Sequence, residues 1–189
     1  MILLADYLVP AVWLIGLVYW IAAARGAKKT RLAAPAPQQI PHHLLGLLSG
    51  LLFCVPFRGT FLHRFLIPRS DGSAVIGLAV LVAGMGFAFW ARASLGRNWS
   101  AVVTLKEDHR LIRTGPYAIV RHPIYTGLLT AVLGSAVALG RVHHFVALAL
   151  VFAAYWRKSR IEERWLAQEF SAEYETYRRE VPALIPFLF

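Results

Sequence analysis

Three groups of residues in this 189-residue chain have the types and spacing to do chemistry. The first is Arg121-His122-Pro123 with Tyr125, inside "GPYAIVRHPIYTG", directly ahead of an apolar run from Ile124 to Gly140. Arginine offers a planar fork that matches a carboxylate in a way lysine cannot. Imidazole donates or accepts near neutral pH. Proline at a first helical position leaves the helix start preformed, and the dipole there favours an anion. The same residues also serve as plain punctuation at a membrane edge, and at this point both readings stand. The second group is the Glu162-Glu163 pair with Arg160. On a wheel of ~100° per residue, Leu166, Phe170, Tyr174, Tyr177 and Val181 form an apolar stripe. Glu163 falls inside it, Glu162 at its edge and Arg160 on the far flank. A buried carboxylate is costly unless paired, so Glu163 needs either a local bridge to Arg160 or Arg164, or a bound cation. The third group is the histidines. His109 and His122 share one polar loop with Arg121. His42-His43 and His143-His144 belong at opposite membrane edges, about 30 Å apart. They cannot share a metal or haem, and local headgroup contact is their expected role. No metal site is predicted.

The elements that must position these groups are membrane helices. The chain is 58% hydrophobic and 16% charged, with a mean hydropathy of +0.54, where a soluble domain is nearer half apolar and a quarter charged. Ile2–Ala24, His43–Phe57, Ala74–Ala91, Ile124–Gly140 and Phe145–Trp156 contain no Lys, Arg or Glu, and only Asp6 among acids. About 20 apolar residues span a bilayer as a helix, and the shorter blocks reach that length with their polar flanks. The expected fold is an all-α integral membrane protein of about five transmembrane helices with a cytoplasmic C-terminal cofactor-binding region. Charges follow the first block rather than precede it, so it reads as a retained anchor and not a cleaved signal.

The net charge of +10 is topology rather than a nucleic-acid footprint. With five spans, sixteen of the 20 cations fall on one side, which places the amino terminus outside and the tail in the cytoplasm. The surplus also suits anionic membrane lipids. Cys54 is the single cysteine, which excludes an internal disulfide or thiolate metal site. The Asn98 sequon falls on the cytoplasmic side and carries no meaning there. Ala33–Pro41 is Pro-rich and is expected to be a loop, not helix. Residues 1–91 read as N-terminal membrane helices. Residues 92–189 hold the two large polar segments, joined by one tight helix pair. Small residues at Gly127, Ala131 and Ser135, and at Thr130, Gly134 and Ala138, predict close helix packing. Gly84–Gly86 is packing too, because no strand precedes it and no third glycine follows, which rules out a Rossmann loop.

"HRLIRTGPYAIVRHPIYTG", the hairpin after it and "RIEERWLAQEFSAEYETYRREVPALIP" resemble the isoprenylcysteine carboxyl methyltransferase family over roughly residues 95–186. The RHPxYxG and paired-glutamate pattern also occurs in the related phospholipid N-methyltransferases. The resemblance implies S-adenosyl-L-methionine as cofactor, between the RHPxY helix start, the preceding loop and the tail helix. It implies Arg121 on the cofactor carboxylate, Glu162 or Glu163 on its ribose or ammonium, and His109, Tyr117, His122 and Tyr125 as walls. Leu111, Gly115 and Pro123 complete that set. Arg160 and Glu163 are the implied catalytic residues, with Arg160 holding an acceptor carboxylate. The acceptor would be a lipophilic small molecule or lipid entering sideways from the bilayer. A lipid amine, a small thiol, and a membrane NADPH-dependent reductase of related architecture are the alternatives. The Ala- and Arg-rich usage suggests a prokaryotic cytoplasmic membrane.

Overall fold

Glycines at Gly77 and Gly84 of one helix meet Gly127 and Gly134 of another at backbone distance. A methyl placed on Gly134 would lie 2.2 Å from the Leu81 nitrogen, and one on Gly77 would lie 2.4 Å from the Ala138 nitrogen. Nothing larger than hydrogen fits. The two helices are α3 (Asp71–Leu95) and α4 (Pro123–Leu139) of a computed structural model, which describes residues 1–25, 30–33, 35–96, 104–106 and 111–188. The other long helices are α1 (Ile2–Ala24), α2 (Ala36–Cys54) and α5 (Val142–Glu180).

The α4 face that meets α3 is Gly127, Ala131, Gly134 and Ala138, which combines members of both predicted small-residue rows. Ser135 turns instead toward α1, accepting a hydrogen bond from Trp13 Nε1 at 3.0 Å. Ala5 and Val9 of α1 join Ala74, Leu81 and Met85 of α3 in the core of this three-helix group. Gly84 packs as expected, whereas Gly86 faces open space. The second layer is α2 against α5. Ser49 Oγ donates to the Ala147 carbonyl at 2.9 Å, and the Phe53 ring stacks on His144 at 4.8 Å. The tight pair is therefore α3–α4, rather than the hairpin pair α4–α5.

Among the described residues, two helices, α1 and α3, are long and apolar enough to cross a membrane, with α4 a shorter apolar helix of 17 residues. Leu3, Tyr7, Leu14 and Ile15 on α1 and Leu44, Leu47 and Leu51 on α2 are exposed, as lipid-facing positions are in a membrane protein. A short antiparallel pair interrupts the all-helical plan: β1 (Thr30–Ala33) runs against β2 (Thr104–Lys106). It brings the first and third connections to one end of the molecule. At the other end the Leu66 and Ile67 nitrogens donate to the Gly140 carbonyl, and Arg141 Nη1 donates to the His63 carbonyl at 2.6 Å.

One expectation fails outright. The Pro-rich stretch is not all loop, because α2 begins at Ala36 and holds Gln38 through Pro41 in helix. Pro37 lies in the first turn, where its missing N–H has no partner to lose. Pro41 sits only one turn further in, so it forfeits a single hydrogen bond near the helix end.

Candidate functional site

The site is assembled where the start of α4 meets the middle of α5 and the segment that follows it. Pro123 opens α4, and His122 is its cap residue. The backbone before the helix is fixed by pairing: the Arg121 nitrogen donates to the Pro182 carbonyl at 2.8 Å and the His122 nitrogen to the Ala183 carbonyl at 3.0 Å. Thr126 Oγ1 adds a bond to the Leu184 carbonyl at 2.6 Å. α5 breaks at Ser171, which sits at φ 42°. Beyond the break, Tyr174, Tyr177 and Val181 bury the stripe anticipated from the wheel, with Leu111, Leu166 and Phe170 against them.

Arg121 donates to Glu163 Oε1 from Nε at 3.0 Å and from Nη2 at 2.6 Å. Its Nη1 donates to the carbonyls of Arg178, at 3.0 Å, and Val181. The partner of Glu163 is thus an arginine 42 residues away in sequence, while Arg160 on its own helix is a distant second, with Nη1 at 3.6 Å and a half-exposed side chain. His122 bridges the two glutamates: Nε2 lies 3.3 Å from Glu163 Oε1 and Nδ1 3.5 Å from Glu162 Oε2. The Tyr125 hydroxyl donates to Glu162 Oε1 at 2.6 Å. Five of the sequence-predicted residues, Arg121, His122, Tyr125, Glu162 and Glu163, therefore form one connected cluster.

Burial alone would raise the Glu163 carboxyl, but hydrogen bonds and charge from His122 and Arg121 outweigh it and hold the group at about 2. Glu162 is likewise lowered, burial being overcome by His122, Lys158 and Tyr125. Burial pulls the His122 imidazole down, yet its bonds to both carboxylates win and the net direction is up. At neutral pH the site holds two carboxylates and a guanidinium, with the His122 imidazole shifted toward its protonated form. Such a set can hold a ligand bearing both an anion and a cation, by exchanging the internal ion pair for two external ones.

The remaining predicted residues take outer positions. Tyr117 is buried, and its carbonyl accepts from the Tyr177 hydroxyl at 2.6 Å. Gly115, at φ 62°, starts the short turn that carries Tyr117 and lies near Trp90 and Ser94 of α3. Leu111 packs under Tyr174 and Tyr177. His109 lies outside the described residues. Three site neighbours were missed. The Tyr155 ring stacks on Tyr125 at 4.8 Å, and Lys158 Nζ lies 5.3 Å from the centroid of the same ring. Helical spacing could have found Lys158, which is one turn before Glu162. The third is His42, 5% exposed and within electrostatic reach of Lys158, Glu162 and Arg157. It is buried in the helix contact rather than exposed at a membrane edge. No chain-local signal could have placed it there. The two histidine pairs do lie at opposite ends of the α2–α5 contact, as expected.

The family model for phospholipid methyltransferases matches residues 73–173. The chain is 30% identical to protein-S-isoprenylcysteine O-methyltransferase B of Arabidopsis thaliana, over 88% of this chain and 83% of that protein. It is 34% identical to the cobalt-zinc-cadmium resistance protein CzcN of Cupriavidus metallidurans, over 64% of this chain and 55% of that protein. Its fold is similar to the solved structure of a eukaryotic intramembrane Ras methyltransferase, isoprenylcysteine carboxyl methyltransferase. That match has a TM-score of 0.56 at 24% identity, covering 82% of this chain and 55% of the other. The chain spans 55% to 66% of the length of several curated relatives that it matches.

Proposed function

We propose that this chain, which belongs to the isoprenylcysteine carboxyl methyltransferase family, is a membrane methyltransferase that uses S-adenosyl-L-methionine to methylate a lipophilic acceptor, an isoprenoid-type carboxylate being the reading best supported. The observation that carries this is the Arg121–His122–Glu162–Glu163 cluster at the start of α4. The donor set fits the cofactor's chemistry, since a methionine portion brings one carboxylate and one ammonium. When bound, the cofactor supplies a methyl group on a sulfonium, open to in-line displacement.

The protein's own residues then have positioning work to do, which in favourable cases accounts for ~7–11 kcal/mol of a barrier. Arg121 turns part of its fork from Glu163 to the cofactor carboxylate, beside the α4 dipole. Glu163 and Glu162, ionised at neutral pH, take the ammonium and ribose hydroxyls. Tyr117, His122 and Tyr125 wall the ligand, with Leu111, Gly115 and Pro123 shaping the turn behind them, and His109 joins the cofactor-binding set by family resemblance. Arg160, on the exposed rim one turn before the glutamates, faces the acceptor. Residues 92–189 are the catalytic region, made of a cytoplasmic loop, a membrane hairpin and a cytoplasmic tail helix, in a prokaryotic inner membrane with the amino terminus outside. The acceptor reaches the site from the lipid.

Calorimetry on detergent-solubilised protein tests the reading. S-Adenosylhomocysteine should bind, and Glu163→Gln should weaken it by ~1–3 kcal/mol, the range for a hydrogen bond to a charged group. Binding of NADPH in place of S-adenosylhomocysteine would make the protein a reductase instead.

A further inference from the structure

His42 is buried at 5% exposure, and neither ring nitrogen has a hydrogen-bond partner among the described residues. An unsatisfied buried imidazole is costly, and such a group is worth keeping where it meets a ligand. Its location follows from helix register. α2 runs antiparallel to α5, with Ser49 bonded to Ala147 and Phe53 stacked on His144. Two turns back from Ser49 is His42, and two turns on from Ala147 is the level of Ala154 and Tyr155, one turn short of Lys158. Tyr155 stacks on Tyr125, the tyrosine bonded to Glu162. The α2–α5 contact thus runs to the level of the site cluster.

The charged groups close enough to act electrostatically on His42 are Lys158, Glu162 and Arg157, with the His43 ring beside it. Two cations against one carboxylate leave the surroundings of His42 net positive. The flanks of the seam are apolar and exposed, through Leu44, Leu47 and Leu51 on α2 and Phe152 and Trp156 on α5. Vacant nitrogens in a positive field, at the end of an apolar flank, suit an anionic oxygen head on a greasy body.

We infer that the α2–α5 seam is the acceptor subsite, where His42 and Lys158 together hold the carboxylate of a lipophilic acid. This rests on the methyltransferase reading above. In the transfer a carboxylate oxygen forms the C–O bond as the methyl–sulfur bond breaks, and the electron pair stays on sulfur. A carboxylate and a sulfonium become an ester and a thioether, and no proton moves. His42 therefore serves as a donor to oxygen and not as a base. The neutral ester also loses its hold on His42 and Lys158, which favours release into the lipid.

The test compares binding of N-acetyl-S-farnesylcysteine and of its methyl ester to the full chain in nanodiscs loaded with S-adenosylhomocysteine. The unaltered protein should prefer the acid by about tenfold or more, the scale of one charge-assisted contact. His42→Phe and Lys158→Met should each cut that preference to within about threefold, while His42→Gln, which keeps a donor, should retain most of it. S-Adenosylhomocysteine affinity, measured separately, should stay within about threefold in His42→Gln and report that the fold is intact. An acid preference that is absent from the unaltered protein, that survives both His42→Phe and Lys158→Met, or that falls only in Arg160→Ala overturns the subsite. Failure of the unaltered protein to bind S-adenosylhomocysteine at all is a different result, and removes the methyltransferase reading on which the subsite stands.

Discussion

Along its length α4 faces α3 through glycine and alanine, whereas at its first turn it faces α5 and residues 181–184 through charge and hydrogen bonds. The two contacts are stabilised by opposite means. The first depends on side chains being absent: Gly77, Gly84, Gly127 and Gly134 let two backbones touch, and dispersion at close range holds them. The second depends on side chains being present and paired, with Arg121, His122, Glu162 and Glu163 each satisfying another. A rigid pair of helices, indifferent to charge, thus carries a polar cluster whose members can exchange partners. That division lets the polar cluster rearrange without disturbing the α3–α4 contact.

The comparison can be broken most forcefully at the polar end. Arg121→Ala leaves Glu163 buried without its guanidinium and the Arg178 and Val181 carbonyls without a donor. The expected loss is ~3–5 kcal/mol, the cost of removing one partner from a buried ion pair, read as a fall in the unfolding midpoint in detergent. Arg121→Met combined with Glu163→Leu should recover much of it. The single variant is accordingly a poor probe of cofactor binding, since it attacks the fold as well. At the apolar end Gly134→Val must push α4 away from Leu81. It should cost ~1–3 kcal/mol, as overpacking does, with no dependence on pH.

Acidity separates the two contacts more finely. His122 is raised in the folded state, so its contribution is fully present below its ordinary value of 6.5 and is lost as pH rises through the raised one. Glu163 is lowered from 4.5 to about 2, so its contribution is present above 4.5 and is lost as pH falls toward 2. Unfolding midpoints across this range should show the gap between the unaltered protein and His122→Gln closing on the alkaline side. The gap to Glu163→Gln should close on the acid side. A gap that ignores pH in either variant would mean the cluster is held by shape, like the α3 contact. The smallest effect expected is that of Gly86→Ala. A methyl there meets nothing within 4 Å, and Gly86 lies inside α3, so stability should rise slightly, by ~0.5–1 kcal/mol from helix propensity alone.

Much of the scaffold was legible because membrane helices announce themselves in composition. The apolar blocks correspond to α1 through α5, and the small residues of α4 signalled a close contact. They did not say with which helix, because Gly127 and Gly134 look the same whether they meet α3 or α5. Proline misled at the start of α2, where a rule about helix interiors was applied to a first turn. At the site, the wheel correctly buried Glu163, since its stripe was local to one helix. It could not supply Arg121 as the partner, which depends on how residues 178–184 return to the start of α4. His42 was out of reach for the same reason: its surroundings belong to α5, more than a hundred positions away in the chain.

The backbone bonds from Arg121 and His122 to Pro182 and Ala183 also impose an order of events during synthesis. Arg121 leaves the ribosome some 60 residues ahead of Val181, so α4 enters the membrane with its first turn still unpaired. α3 can receive it at once, needing nothing that lies downstream. The arginine, the histidine and both glutamates must wait until the segment after α5 has emerged and folded back across them. The α3–α4 contact can therefore form well before the polar cluster that depends on residues 181–184.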